Sequence, residues 1–230
     1  MCGRYENMLT KEQFLEYLKA KFAIDVADFT GGGSLKQKNI CPTDDILAVT
    51  FAEDEFRLEV MRWGFTLKTG PMFNSRIEQI VSGNAAKYWQ NALEHKPCII
   101  PMTGYFEWQE TDEIIEVTSP KTGKVTKKKR KQPYKFKTNE DVMFAAGYWR
   151  TDEYERKDES GEKTKVNGNS CTMITTSSND LIRPIQVKDR MPVILPGKTS
   201  IEFLKGDLEK RFSLAVSYPA ELMSAAMCEP

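Results

Sequence analysis

The chain has 230 residues, of which 40% are hydrophobic, and 33 Lys and Arg balance 33 Asp and Glu. This is typical of one globular domain over residues 1–230. Because the net charge is zero, it predicts neither a nucleic-acid nor a membrane partner, and any DNA affinity must come from a local patch. No stretch approaches 18 consecutive apolar residues and no apolar run follows a basic start, so we expect a cytoplasmic protein without a membrane span.

The cysteines and the single histidine limit the kinds of disulfide, metal and catalytic sites that the chain can form. The cysteines are odd in number, scattered and without a CxxC pair, which argues against a disulfide framework or a zinc site. They are Cys2, Cys41, Cys98, Cys171 and Cys228. We expect no metal and no cofactor. The sole histidine, His95, lies in the polar segment Glu94–Pro97, which predicts a solvated turn residue rather than half of a Cys–His dyad.

The first half of the chain predicts two helices and a hairpin. Thr10 and Gln13 match a capping box. An apolar stripe at helical spacing follows, formed by Phe14, Leu15, Leu18 and Phe22. Two strand-like segments, Ile46–Ala52 and Phe56–Trp63, predict a hairpin, and a second helix is predicted from Asn84 to Glu94.

From Cys98 onward, β-branched and aromatic segments between polar turns predict strands. These are Cys98–Gln109, Ile114–Thr118, Tyr134–Lys137, Val142–Trp149, Ser170–Thr176 and Met191–Leu195. A short helix is predicted at Ser200–Leu204, and Gly31–Ser34 predicts a flexible loop. Because no regular βαβ alternation is seen, we expect an α+β fold: a curled, mainly antiparallel sheet or barrel with a few flanking helices.

Two stretches of the chain are rich in charged residues, and the first of them has two competing interpretations. Lys121–Lys137 contains nine basic residues and follows the acidic segment Glu107–Glu116. The run could contact a DNA backbone, but the neighbouring acids favour a solvated hairpin whose arms attract each other. Asp152–Lys165 mixes both signs and predicts a solvated loop.

The start of the chain, Met1-Cys2-Gly3, has its own chemistry. A small second residue permits removal of Met1, which leaves Cys2 with an α-amine beside its thiol. Because an α-amino group titrates near ~7.7–8.0, much of it is nucleophilic at neutral pH and can form a Schiff base with an aldehyde. The thiol can then close a five-membered thiazolidine ring. An abasic site in DNA exposes such an aldehyde when its sugar opens. The residues alone leave open an aldehyde trap, an N-terminal nucleophile or an incidental Cys2.

Several sequence blocks stand in order along nearly the whole chain: Met1-Cys2-Gly3-Arg4-Tyr5, Asn39-Ile40-Cys41-Pro42-Thr43, Met61-Arg62-Trp63-Gly64-Phe65, Asn74-Ser75-Arg76-Ile77-Glu78, Cys98 to Trp108, Thr175-Thr176 and Asp189 to Leu195. Together they resemble the SRAP family (SOS response-associated peptidase, the HMCES-like proteins). The resemblance implies an SRAP-like domain that crosslinks to abasic sites in single-stranded DNA during the DNA damage response. We expect a monomer, with the replication machinery as a candidate partner and, in a bacterium, association with the nucleoid.

The resemblance also implies roles for individual residues. Cys2 would form the thiazolidine, Asn74 would hold the opened sugar or the Cys2 amine, and Glu107 would transfer protons and assist the release of Met1. Phe106 and Trp108 flank Glu107, which predicts a raised pKa for its carboxyl group. Without the resemblance, Glu107 would be interpreted as an exposed strand charge.

Six further residues are DNA-binding candidates by the same resemblance. Arg4, Arg76 and Arg190 would grip phosphates with their planar guanidinium groups. Pro42 and Trp63 would offer flat surfaces to unstacked bases, although Trp63 is slightly better explained as a core residue. Thr175 lies in the block before Asp189 to Leu195 and completes this set.

The chain departs from the family pattern at three places. Lys188 stands where the family has a histidine that is thought to open the sugar ring, so we expect Lys188 to alter the rate of adduct formation or reversal. Burial beside Arg190 would make Lys188 an amine nucleophile in its own right and add possible lyase activity. Leu67-Lys68-Thr69 lacks the family's base-separating tryptophan, and the C-terminal tail is short.

Two other functions fit the same residues. One is an N-terminal-nucleophile cysteine peptidase or amidohydrolase in which Cys2 attacks an amide and Asn74 and Glu107 assist. The other is a module that binds single-stranded DNA without covalent attachment, its chemistry impaired by Lys188.

Overall fold

The computed structural model describes residues 2–31, 35, 37–84, 86–120, 122–157, 162–186 and 188–229. Its helices are α1 (Lys11–Phe22), α2 (Ile77–Ser82), α3 (Ala86–His95), α4 (Thr199–Lys205) and α5 (Leu208–Leu214). Its strands are β1 (Tyr5–Glu6), β2 (Val26–Asp28), β3 (Asp45–Ala52), β4 (Glu55–Trp63), β5 (Phe65–Leu67), β6 (Gly70–Met72), β7 (Asn74–Arg76), β8 (Pro97–Met102), β9 (Gly104–Thr118), β10 (Val125–Thr138), β11 (Met143–Lys157), β12 (Lys163–Thr176), β13 (Met191–Pro192), β14 (Ile194–Leu195) and β15 (Met223–Met227). Within these ranges, no helix has the length and apolar character needed to cross a membrane.

Five strands close into a barrel. β11 pairs antiparallel with β12 and β8, β8 pairs with β3, and β3 pairs with β4. A short parallel contact between β4 and β12, with Trp63 opposite Cys171, completes the circle. The predicted α+β class with a mainly antiparallel barrel is therefore confirmed.

Both faces of the barrel strands are apolar because each face is covered. On β3, Ile46 and Ala48 belong to the cluster inside the barrel, whereas Leu47 and Val49 belong to the cluster beneath the helices. The helices contribute to that outer cluster Phe14, Leu18, Leu93, Phe203 and Leu204. Since successive side chains on a strand point to opposite faces, β8 is buried at every position and reads as a continuous apolar run.

A second sheet, in the order β1-β9-β10-β15, packs against the barrel's inner cluster. Tyr105 of β9 and Phe136 of β10 stack with ring centroids 5.2 Å apart. Tyr5 of β1 pairs with Tyr105, and Glu6 pairs with Gly104. The second sheet thus carries the start of the chain to the barrel.

The predicted N-terminal elements are largely confirmed. The Thr10–Gln13 capping box begins α1, and β3 and β4 form the predicted hairpin. The helix α3 covers most of the segment predicted to be helical and ends one residue later, at His95. The helix α2 was not predicted, because it has only six residues and its N-cap, Arg76, makes no side-chain capping bond. Residues 32–34 of the predicted glycine-rich loop lie outside the described residues.

Two predicted strands are each divided where the chain changes its pairing partner. Cys98–Gln109 separates into β8 in the barrel and β9 in the second sheet, and the Thr103 N–H between them donates to the Glu6 carbonyl. Met191–Leu195 separates into β13, which pairs with β12, and β14, which pairs with β11. A single apolar run does not reveal such a change of partner.

The prediction of a solvated loop at Asp152–Lys165 is wrong for most of the described part of this segment, which forms strands; residues 158–161 lie outside the described residues. Residues 150–157 of β11 pair in register with residues 163–170 of β12. Opposite charges face each other across the ladder, with Glu153 bonded to Lys165 at 3.1 Å and Glu155 to Lys163 at 2.6 Å. Cross-strand ion pairs stabilise such a polar hairpin without a large apolar content.

The basic run in Lys121–Lys137 forms the predicted solvated hairpin with the acidic segment; Lys121 itself lies outside the described residues. β10 pairs with β9, and ion pairs join Lys129 to Asp112 at 3.5 Å and Arg130 to Glu113 at 3.0 Å. The side chains are exposed, so each pair contributes little to stability. Their effect is to neutralise much of the local charge that a DNA contact would need.

Candidate functional site

The first residues are held in place from two sides. Tyr5 pairs with Tyr105 of β9 and forms an isolated bridge with Ile40 of the 39–43 loop. The Arg4 carbonyl accepts the Phe106 N–H at 2.9 Å. Cys2, three residues before Tyr5, is thereby fixed against the barrel's inner cluster.

Cys2 is fully buried. Its Sγ lies 3.8 Å from the Arg4 carbonyl oxygen, close enough for a weak hydrogen bond. Burial raises the thiol pKa far above its ordinary value, and the nearby charge of Glu107 raises it further. The thiol is therefore neutral at rest and depends on a neighbouring group to accept its proton.

Asn74 contacts Cys2 directly. Its Nδ2 donates to the Cys2 carbonyl oxygen at 2.6 Å, and β7 holds Asn74 through parallel pairing with Met173 of β12. The buried Oδ1 of Asn74 has no hydrogen-bond partner among the described residues. An unpaired acceptor on the residue that contacts Cys2 can accept a hydrogen bond from a hydroxyl or amine of a bound molecule.

Glu107 is a residue of β9 that lies beside Cys2, and it is only 4% exposed. Burial raises the pKa of its carboxyl group, against the opposing effects of a hydrogen bond from Gln186 and the positive charge of Lys188. The direction agrees with the prediction made from its apolar neighbours, and the interpretation as an exposed strand charge is wrong. A buried carboxyl group with a raised pKa is suited to proton transfer near neutral pH.

The 186–190 segment, in which Val187 lies outside the described residues, faces Glu107. Gln186 is 4% exposed, and its Oε1 accepts the Lys188 N–H at 2.5 Å while its Nε2 donates to the Arg190 carbonyl at 3.0 Å. Asp189 has a φ of +48°, and its Oδ1 accepts hydrogen bonds from the backbone and side chain of Ser178. These bonds fix the turn.

The Lys188 side chain is exposed in the structure. The burial beside Arg190 that would turn it into an amine nucleophile is therefore absent, and that expectation is corrected. Its charge still acts on Glu107. The structure thus brings all four catalytic candidates into one neighbourhood, with Cys2, Asn74 and Glu107 in the buried part and Lys188 at the surface.

The three arginine candidates differ in their exposure and in the groups that their guanidinium groups contact. Arg76 is exposed and lies on the same face of β7 as Asn74, because the two are two residues apart on a strand. Arg190 donates to both carboxylate oxygens of Glu78, at 2.8 and 2.9 Å. Arg4 stacks its guanidinium 4.9 Å from the centre of the Trp108 ring, and Pro42 is half-buried.

Two of the DNA-binding candidates are core residues. Trp63 is fully buried and donates its indole N–H to the Phe73 carbonyl at 2.9 Å, so the core interpretation is confirmed and the ring offers no surface to a base. Thr175 is also fully buried and donates its hydroxyl to the Ser75 carbonyl at 3.3 Å. Its assignment to a DNA contact is therefore wrong.

Two site residues were missed by the sequence analysis. Tyr105 is fully buried near Cys2 and Glu107, and its hydroxyl has no partner among the described residues. Gln186 was missed because a single glutamine carries no periodic or spacing signal. Tyr105 could have been found, since it lies two residues before Glu107 on a strand and therefore shares its face. Among the described residues, no three His, Cys, Asp or Glu side chains are grouped to hold a metal ion.

The raised pKa of Glu107 predicts a stability effect. At pH values between the unfolded-state and folded-state pKa, the folded protein retains a proton on Glu107 that the unfolded chain has lost. The contribution of Glu107 to stability is therefore complete below the unfolded-state pKa and is lost as the pH rises through the folded-state pKa. Glu107→Gln should therefore raise Tm by about 2–4 °C at about pH 8, for a gain on the order of 1 kcal/mol, and by less at about pH 5. Calorimetric scans at both pH values test this, and an equal or lower Tm at about pH 8 contradicts it.

Comparison with known families places this geometry in context. A family model described as SOS response associated peptidase (SRAP) matches residues 1–228. The chain belongs to the SRAP family. The blocks around Cys2, Asn74 and Glu107, on which the resemblance was based, thus lie in a member of that family and meet at one site of this SRAP protein.

Curated relatives of this SRAP protein match along its length. Abasic site processing protein YoaM of Bacillus subtilis strain 168 is 28% identical over 247 residues, covering 98% of this chain and 89% of that protein. Abasic site processing protein YoqW of the same organism is 30% identical over 243 residues, covering 98% and 91%.

Solved structures share the SRAP protein's fold. An X-ray structure of a protein from Bacteroides thetaiotaomicron superposes with a TM-score of 0.68 at 21% identity, covering 98% of this chain and 91% of that chain. One from Bordetella bronchiseptica gives a TM-score of 0.67 at 20% identity and covers both chains completely. At these identities the likeness establishes the fold alone.

Proposed function

We propose that this SRAP protein processes abasic sites by attaching covalently to them in single-stranded DNA through Cys2, once Met1 has been removed. The observation that carries the proposal is the meeting of Asn74 and Glu107 at a buried Cys2. Two relatives that match nearly the whole chain are named abasic site processing proteins, which supports the same class of DNA lesion.

The order of the chemical steps follows from the state of the two nucleophiles. The Cys2 thiol is neutral at rest because burial raises its pKa. The free α-amine is therefore the first to attack the aldehyde of the opened sugar, giving a carbinolamine that loses water to form an imine. Glu107 accepts a proton during the attack and returns it to the departing hydroxyl group.

Ring closure converts the imine into a durable adduct. The Cys2 sulfur attacks the imine carbon, a C–S bond forms, and the thiol proton passes through Glu107 to the nitrogen. The overall reaction joins amine, thiol and aldehyde and releases one water. The free Oδ1 of Asn74 is available to accept a hydrogen bond from the sugar hydroxyl that ring opening leaves, which would hold the sugar over Cys2.

DNA affinity in this proposal comes from a few local contacts. Arg76 is exposed beside Asn74 on β7, and Arg4 follows Cys2 by two residues and holds its guanidinium group over the Trp108 ring. With a net charge of zero, the protein should bind single strands with modest, salt-sensitive affinity, and the covalent bond rather than the encounter should set the lifetime.

The proposal is tested by incubating the mature protein with single-stranded DNA that carries one abasic site, followed by a denaturing gel and intact-mass measurement. We expect a species with the mass of protein without Met1 plus DNA, less one water. The same strand without the lesion should give no such species. Cleavage of a peptide substrate without any adduct would favour the amidohydrolase alternative, and binding in a native gel alone would favour the non-covalent module.

Lys188 is expected to adjust the rate rather than to enable the reaction. Lys188→His should raise the rate of adduct formation by about two- to tenfold at neutral pH, because an imidazole can act as a base where an exposed ammonium group cannot. Single-turnover rates measure this, with Lys198→His as the control at an exposed site outside the neighbourhood. Unchanged formation and reversal would make Lys188 a bystander.

A further inference from the structure

We propose that Glu78 is a positioning residue for Arg190, holding its guanidinium group so that its remaining N–H groups bind a phosphate of the DNA strand. This deepens the proposed function and rests on single-stranded DNA being the ligand. Arg190 was expected from the sequence to bind phosphates, whereas Glu78 lay in one of the sequence blocks without any role.

Both carboxylate oxygens of Glu78 bind one nitrogen of Arg190. The distances from Arg190 Nη1 to the two oxygens are 2.8 and 2.9 Å. A guanidinium group carries five N–H groups, of which only two are on Nη1. Among the described residues, the Arg190 side chain has no other hydrogen-bond partner, so the N–H groups of Nε and Nη2 are left for another acceptor. These two nitrogens form a planar edge that matches two oxygens of a phosphate.

The fold brings Glu78 and Arg190 together at the end of β12. Thr175 of β12 pairs with Arg76 of β7 on one side and with Pro192 of β13 on the other. Glu78 follows Arg76 by two residues and Arg190 precedes Pro192 by two, so their side chains meet just past the paired part of β12. Since Arg76 is exposed, two arginines lie at this end of the strand.

Arg190 is held both at its backbone and at its side chain. Its carbonyl accepts a hydrogen bond from Gln186 at 3.0 Å. Its side chain is only 15% exposed and that of Glu78 is 47% exposed, so the carboxylate compensates a guanidinium group that has lost much of its hydration. Without Glu78 the arginine side chain would gain rotamer freedom, which would have to be lost again when DNA binds.

The charge of Glu78 acts in the opposite direction to its positioning effect. A carboxylate repels a phosphate, so a Glu78 that merely occupied Arg190 would weaken DNA binding. Because Glu78 is partly exposed, solvent and salt screen this repulsion. We therefore expect positioning to be the larger effect, and the sign of the change in affinity on removing Glu78 decides between the two.

The test is the affinity of Glu78→Ala for a single-stranded oligothymidylate without a lesion, measured by fluorescence anisotropy. We expect about a three- to tenfold loss of affinity. The dependence of log affinity on log salt concentration should become shallower by up to about 0.7, because one phosphate contact is lost. Glu202→Ala is the matched control and should leave the affinity unchanged, since Glu202 is 48% exposed on α4 and pairs with Lys210 at 2.8 Å.

Two further variants show whether Glu78 acts through Arg190. Arg190→Ala should weaken binding at least as much as Glu78→Ala, and adding Glu78→Ala to it should cause no further loss. Glu78→Gln keeps one oxygen for Nη1 and should bind more tightly than Glu78→Ala; it also serves if a thermal scan shows that Glu78→Ala is unfolded. The rate of adduct formation at saturating abasic DNA should change by less than about twofold in Glu78→Ala, because the groups around Cys2 are untouched.

The outcomes distinguish a failure of this inference from a failure of the proposed function. Unchanged or tighter binding by Glu78→Ala, or an equal loss with and without Arg190, would overturn the positioning role while an adduct with abasic DNA kept the proposed function intact. Binding of the strand without any adduct would refute the covalent reaction and leave the role of Glu78 to be decided by the affinities. If the unaltered protein did not bind the strand at all, both would be overturned.

Discussion

Cys2→Ala is expected to abolish the durable adduct with abasic DNA, lowering its yield by at least about a thousandfold, because no second nucleophile remains to close the ring. The α-amine is retained in this variant, since alanine is also small enough to permit removal of Met1. A reversible imine should therefore still form. Borohydride, which reduces imines to stable amines, should trap it on a denaturing gel, whereas the untreated sample should show no shifted band.

Matched variants make this result specific to the thiol. Cys2→Ser should behave like Cys2→Ala if sulfur is essential. Cys41→Ala serves as the control, because Cys41 is a partly exposed cysteine in the loop that pairs with Tyr5. Loss of the buried sulfur should cost about 1 kcal/mol of stability, so a thermal scan shows whether the variant is folded. A durable adduct in Cys2→Ala would assign the chemistry to another residue.

Glu107→Gln is expected to slow adduct formation by about 10²- to 10⁴-fold while leaving the end product unchanged. The glutamine keeps the shape of the side chain but cannot accept the proton of the amine or thiol. Its higher Tm at alkaline pH, predicted above, would show that the loss of rate is not a loss of folding. Single-turnover rates at saturating DNA measure the effect.

Glu110→Gln is the control for this substitution. Glu110 lies on the same strand, but it is exposed and paired with Lys131 at 3.7 Å. We expect its removal to leave the rate unchanged. Equal rates for Glu107→Gln and the unaltered protein would transfer the proton-transfer role to another group, with Tyr105 the next in position.

The fold could be predicted to the extent that local patterns determine it. The capping box at Thr10 and the strand-like segments of the β3–β4 hairpin depend on neighbouring residues alone, and both were predicted. The division of the Cys98–Gln109 segment at Thr103 was not, because it depends on which strand lies alongside. The charged hairpin of β11 and β12 was missed for a related reason: its ion pairs join residues 8 and 12 positions apart on two facing strands, and local composition does not show this pairing.

The same distinction applies to the site. Cys2, Asn74 and Glu107 were identified through blocks that each carry several residues of a family pattern, and the structure brings them together. Thr175 was given a surface role because a strand sequence does not say which face is covered, whereas for Trp63 the core was already the favoured interpretation. Gln186 was not found at all, since its two hydrogen bonds, with the backbone of Lys188 and Arg190, depend on how the turn folds rather than on a pattern in the sequence.

The pairing of Tyr5 with both β9 and Ile40 has a consequence for how this protein should be expressed and purified. Residue 2 is only three positions before Tyr5 and is fully buried. An affinity tag fused to the front of the chain would therefore convert the amine that the proposed reaction requires into an amide, and it would crowd the site. A tag after β15 avoids both problems, because Met227 is 68% exposed. Front-tagged preparations should therefore appear inert even when correctly folded, and negative assays made with them would say nothing about the native chemistry.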